Sequence, residues 1–301
     1  MNRSLVGLAL TALLGAAGLT ACGTSGSSDG AAVHVVASTN VWADVVNQVV
    51  GDLSGSKIKV TSIINDPNAD PHSFEANAQN MLALSKADLV VENGGGYDGF
   101  VDTMLSTSGN DDVMRLNAVA LSGKAGEEQL NEHVWYDFPT VAKVAEQIEA
   151  ALAAEDPDDA ATFEANLAAF KRHLGELEAT ESSIKSAHAG TGVAITEPVP
   201  LYLLEACGLV NKTPEAFSEA VEDDTDVPPL VLKETQELFT QHRVALIAYN
   251  EQATGAETEA VLQTAQANKV ALVPVSETLP SGMTYVTWMQ ANLSALAKAL
   301  S

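Results

Sequence analysis

The chain is predicted to be an α/β protein of two lobes, each a parallel-type β-sheet flanked by helices, joined by one long rigid interlobe helix. Three observations predict it. Short β-branched runs alternate with helical stretches on either side of the middle of the chain. Those runs are apolar throughout, as strands covered on both faces should be. Between the two alternating regions lies a stretch of about thirty residues with no proline and one glycine, Gly175.

In chain order, VHVVAST (33–39) reads as a strand and NVWADVVNQVV (40–50) as the helix after it. KIKVTSII (57–64) is a strand, followed by the turn NDPNADPHS and a helix over FEANAQNMLALSKA (74–87). ADLVVENG (87–94) runs as a third strand into glycines, and DVMRLNAV (112–119) is a fourth. A helix over FPTVAKVAEQIEAALAAEDP stops at Pro157. The long helix then starts behind Asp158 and Asp159, whose charges suit an N-terminal end, and stops at Gly190. At 1.5 Å per residue it would reach roughly 45 Å, a strut between lobes. Sustained apolar heptads are missing, which argues against a coiled coil.

Beyond the strut, GVAITE is a strand and PLYLLEACGL a helix. PPLVLKETQELFTQHR is a helix, VALIAYNE a strand, GAETEAVLQTAQAN a helix, VALVPVSE a strand, and TYVTWMQANLSALAKAL the closing helix. The predicted domains are a signal peptide (1–21), a lipidated flexible tether (22–32), an N-terminal α/β lobe (33–155), the linking helix (156–190) and a C-terminal α/β lobe (191–301). No internal repeat is strong enough to claim.

The leader has a basic start at Arg3 and a short Gly/Ala-rich apolar run, the layout of a secretory signal rather than a membrane span. Its end, LTAC (19–22), resembles a bacterial lipobox, which implies cleavage before Cys22 and a diacylglyceryl thioether on its sulfur. The Gly/Ser-rich GTSGSSDGAA after it suits a flexible tether. The expected location is therefore the extracytoplasmic face of the cell membrane, held by lipid. With Cys22 lipidated, only Cys207 remains, so no intrachain disulfide can form. Cys207 sits in an apolar helical pattern and reads as a small buried hydrophobe.

Acids outnumber bases 40 to 15, a formal net charge of −25. Such a surface repels nucleic acid and favours cationic partners, and it also keeps a protein soluble.

Four residues stand after predicted strands, at the edge where open α/β sheets bind ligands: His72, His133, Glu197 and Glu277. Each lobe supplies two. Two imidazoles and two carboxylates can form a shell for a first-row transition metal. The other four histidines read differently: His34 as a pairing-edge residue opening a strand, His173 and His188 as solvated positions on the strut, His242 at a helix end. ENGGGYDG has no Lys-Ser/Thr behind it and is no phosphate loop; its glycines suit a tight turn beside the cleft. Trp135 and Tyr136 read as core. EAVEDDTD (219–226) reads as a solvated loop, with contact to a cationic patch on a membrane partner as the alternative.

DPHSFE and EHVWYD, with VVASTNVWADVV, VVENGGGYDGFVDTML, AITEPVPLYLLEACGL and SGMTYVTWMQANLSALAKAL, resemble the metal-binding lipoproteins of bacterial ABC importers, the family that collects zinc or manganese. The likeness spans nearly the whole mature chain. It implies a receptor that binds one Mn²⁺ or Zn²⁺ ion between two lobes and hands it to an ABC permease driven by a separate ATPase. It implies no catalysis and no nucleic acid, and a monomer is expected. By position, His72 and His133 match the family's two N-lobe ligands. Glu197 falls where the family has His or Glu, with Gly208 closing the helix that follows. Glu277 falls where the family usually has Asp, ahead of Gly282, Thr284 and Tyr285, so the fourth carboxylate is one methylene longer. Glu251 in AYNEQ is the rival for that place.

A shell with two carboxylates is harder than one with three histidines and leans towards Mn²⁺, although Zn²⁺ binds most N/O sites more tightly. Zinc-specialised members often carry a His-rich acidic loop before the second histidine; LSGKAGEEQLNE here has no histidine. A zinc-dependent hydrolase would need an open coordination position and a general base, and no H-E-x-x-H pair is present. A surface adhesin is the other alternative, which no residue pattern supports directly.

Overall fold

The computed structural model describes residues 33–301 except 70, 72, 73, 76, 127 and 128. The signal peptide, the tether with Cys22, and His72 lie outside the described residues. The first sheet holds β1 (Val33–Thr39), β2 (Ile58–Ile64), β3 (Leu89–Glu92) and β4 (Met114–Asn117), all parallel, in the order β2-β1-β3-β4. Helices α1 (Asn40–Val50), α2 (Ala78–Leu84), α3 (Phe100–Ser108), α4 (Ala118–Ser122) and α5 (Phe138–Glu155) accompany it. After α6 (Ala160–His188) comes a second parallel sheet of β5 (Gly192–Ile195), β6 (Val210–Asn211), β7 (Leu246–Asn250) and β8 (Ala271–Val275), in the order β6-β5-β7-β8. Its helices are α7 (Leu201–Ala206), α8 (Glu215–Glu222), α9 (Pro229–Thr240), α10 (Ala256–Ala267) and α11 (Tyr285–Ala299).

The two sheets share one strand order, so topology repeats where sequence does not. In each, the chain turns from one side of the first strand to the other. The crevice at that switch, outside the carboxyl ends of the strands, is where such sheets hold ligands.

The apolar runs behave as expected where strands are central. β3 is buried at every residue, and β1 at all but His34. Edge strands break the rule because one side meets water: β4 is half exposed, and β8 alternates. His34 departs from its expected place, since β1 lies inside the sheet; its N–H donates to Asp88 Oδ2 at 2.8 Å.

The helix expected from Phe74 starts only at Ala78. Asn77 caps it, accepting from the Gln79 and Asn80 amides, while Asn80 Oδ1 accepts from Asn77 N. Four elements lie outside the sequence reading: α3, α4, β6 and α8.

The strut is present as a 29-residue helix behind a single 3₁₀ turn at Pro157–Asp159, and Gly190 follows it at φ +83°. Phe163, Phe170, Leu174, Leu177 and Ile184 form its buried stripe, which packs against α1 and α5 from the first half and α7 and α11 from the second. One apolar core runs through both halves, from Trp42 and Val91 to Trp288 and Leu293. Glu181 interrupts the stripe: it is buried, and burial with Glu178 and Asp137 nearby pushes its carboxyl up to about 8. Cys207 is buried as expected, its thiol pushed up to about 12 by burial and by Glu181. No helix among the described residues is long and apolar enough to cross a membrane.

Candidate metal site

The site is assembled from loops that follow strands. After β3 the chain turns sharply through Gly94, Gly95 and Gly96, all at positive φ. A side chain at Gly94 would run into the Asn117 amide. The Asp98 carboxylate fixes the turn by accepting from Asn93 N at 2.6 Å and Gly94 N at 2.8 Å. The turn delivers Tyr97 into the interior, where its ring stands edge-on to His133 at 5.9 Å and tilted on Trp135 at 4.9 Å.

His133 is fully buried. Asn131 Nδ2 donates to Pro198 O, so Asn131 Oδ1 faces the imidazole, 2.7 Å from Nδ1. That acceptor keeps the proton on Nδ1 and turns Nε2 inward as a donor atom for a metal. Nε2 lies 3.5 Å from Glu222 Oε1 and 3.8 Å from Glu277 Oε2. Burial opposes charge on this imidazole, but the facing Glu222 and Glu277 carboxylates outweigh it and raise its pKa.

Glu277 stands two residues after β8 and is buried. Its Oε1 accepts from Asn250 Nδ2 at 2.8 Å, and its backbone N donates to Gln252 Oε1 at 2.6 Å. Glu197, two residues after β5, is also buried; burial first, then Glu277 and Glu222, push its carboxyl up to about 8. Burial and the Glu277 charge likewise hold the Tyr97 hydroxyl neutral. Glu197, Glu222 and Glu277 line one cavity of about 230 Å³.

Of the four residues singled out by sequence, the structure brings His133, Glu197 and Glu277 together. His72 lies outside the described residues; the chain just before it is held against the site, where Gln252 Nε2 donates to Pro67 O and Ala69 O, and Thr278 Oγ1 donates to Pro67 O. The rival Glu251 is exposed. Sequence reasoning missed Tyr97 and Glu222. Asp223–Asp226 are exposed as a solvated loop should be, yet Glu222 ends α8 and turns inward, its side chain 12% exposed. Trp135 and Tyr136 are core, as expected, and also brace the site: Tyr136 OH donates to Ser276 O, and Tyr285 OH donates to Trp135 O at 2.5 Å.

The family model described as zinc-uptake complex component A, periplasmic, matches residues 35–299. The manganese-binding lipoprotein MntA of Halalkalibacterium halodurans is 31% identical over 167 residues, 54% of this chain and 53% of that one, so the chain matches about half the length of that relative. The manganese ABC transporter substrate-binding lipoprotein scaA of Streptococcus gordonii is 24% identical over 308 aligned positions, 96% of each chain. Among solved structures, the periplasmic zinc-binding protein TroA of Treponema pallidum superposes with a TM-score of 0.70 at 19% identity, covering 89% of this chain and 99% of that one. At that identity the likeness speaks for the fold.

Proposed function

The chain belongs to the zinc-uptake complex component A family, and on that premise we propose that it is a lipid-anchored receptor for a divalent transition metal, Mn²⁺ or Zn²⁺, which it delivers to an ABC-type importer. His72, His133, Glu197 and Glu277 hold one ion between the lobes, and Cys22 carries the lipid on the extracytoplasmic face. The ion is cargo; the protein binds and releases it without chemistry, and a permease with its ATPase moves it.

The observation that carries this reading is the meeting of His133 Nε2 from one half with Glu277 from the other, 3.8 Å apart and both buried. An imidazole nitrogen facing two carboxylates that line one cavity is a donor set for a cation, and the hard oxygens suit Mn²⁺. Two lobes closing all the ligands around the ion suits carriage, whereas hydrolysis needs a coordination position left open.

Calorimetric titration with each metal tests the proposal. His72→Ala or His133→Ala should each abolish tight binding, because a ligand is lost. Unchanged affinity in both would remove the site. Glu277→Ala should weaken binding more than Glu251→Ala; the reverse order would move the fourth ligand to Glu251.

A further inference from the structure

The ligand set above leaves out one carboxylate that the structure places at the same imidazole. Glu222 is the last residue of α8, and its neighbours Asp223 and Asp224 are exposed. Its own side chain is turned in, and its Oε1 is nearer to His133 Nε2 than Glu277 Oε2 is, 3.5 Å against 3.8 Å. Glu132, His133 and Glu222 each offer a ligand atom within 4.8 Å of the others. A second observation is independent of this cluster. Glu197, 4% exposed, lines the same cavity as Glu222, and its Oε2 accepts no hydrogen bond among the described residues.

Carboxylates withdrawn from water are costly unless positive charge offsets them. Three of them sharing one cavity beside a single imidazole is an arrangement that a divalent cation makes favourable. The C-terminal end of α8 adds partial negative charge at the same place.

We infer that Glu222 is a further donor to the bound ion beside His133, Glu197 and Glu277, and that it sets the preference of the site for a hard ion of higher coordination, Mn²⁺, over tetrahedral Zn²⁺. This rests on the reading of the chain as a metal receptor. Zn²⁺ is satisfied by four donors and gains little from an additional one. Mn²⁺ favours carboxylate oxygen and takes more ligands, so it gains from Glu222.

The test measures Mn²⁺ and Zn²⁺ affinity in wild type, Glu222→Gln and Asp223→Asn. In Glu222→Gln the Mn²⁺ Kd should rise at least about 10-fold, the scale of change seen when a group supporting a metal is removed. The Zn²⁺ Kd should change much less, and Asp223→Asn should leave both unchanged. Unaltered Mn²⁺ affinity in Glu222→Gln overturns the inference. So does an equal loss in Asp223→Asn, which would show long-range charge at work rather than a donor. A wild type that binds neither metal would instead remove the receptor reading itself.

Discussion

In the proposed site, Asn131 is what orients His133 as a ligand. The Asn131 amide bridges Pro198 O and His133 Nδ1, so a single residue ties the second half of the protein to the tautomer of the imidazole. Asn131→Ala should therefore weaken metal binding by roughly 10-fold while leaving the ligands intact; equal affinity in a calorimetric titration would show that the ring needs no such support. Proton linkage follows from Glu197, whose carboxyl titrates near 8. At pH 7 it holds a proton that the ion must displace, so binding should release protons and tighten as pH rises towards 8. Titrations in buffers of different ionisation enthalpy read that release directly, and identical apparent enthalpies would deny it. At this scale the placement of side chains at the crevice was legible where a rare residue type stood in a loop, as with His133, or ended an apolar run, as with Glu197 and Glu277. Glu222 was hidden by its neighbours: EDDTD looks uniformly solvated, and only the end of α8 singles out its first member. Tyr97 was hidden because its role depends on the glycine turn that buries it.

Among the elements, α6 is the most exposed to a pH argument. Glu181 sits in its buried stripe with a carboxyl near 8, above the ordinary carboxylate value. Between about pH 4.5 and 8 the folded chain keeps a proton there that the unfolded chain has released, so stability falls as pH rises through that window. Glu197 acts in the same direction in the metal-free protein. Glu181→Gln should raise the Tm at pH 8 by at least about 2 °C, the shift that roughly 1 kcal/mol produces in a chain of this size, and should have less effect at pH 5. A variant that melts lower at pH 8 would show the charge to be favourable where it lies. Long elements were legible because their period or their length left no alternative: β1, α1, α5, α6, α10 and α11 stand where the sequence puts them. β6 was not, since two residues are too few for a period to declare itself, and α8 was not, since the acidic run behind it hides where it ends. The Gly–Thr–Tyr segment has a physical reason at this level as well. Thr284 caps α11 by accepting from Thr287 N, and the next residue, Tyr285, reaches the Trp135 carbonyl two residues beyond His133.

For the whole molecule, what matters is how firmly the two halves are tied. Asn40 Nδ2 donates to Leu279 O and Leu279 N donates to Asn40 Oδ1, both at 2.9 Å, while Tyr285 N donates to Asp44 Oδ2 at 2.7 Å. With α6 and the common apolar core, these contacts leave little room for a hinge. Metal-free and metal-bound structures should differ by local shifts around the site; a wide domain rotation on superposition would refute that. The α/β class, the pair of sheets and the strut were all legible from alternation and length. The shared strand order was not, because pairing between distant strands leaves no mark on any one of them.

The most direct measurement is an anomalous difference map from a crystal grown with Mn²⁺. The expected result is one strong peak within bonding distance of His133 Nε2 and of the Glu197 and Glu277 carboxylates. A map with no peak there, or with the ion bound only on the acidic surface, would contradict the assignment of this crevice as the metal site.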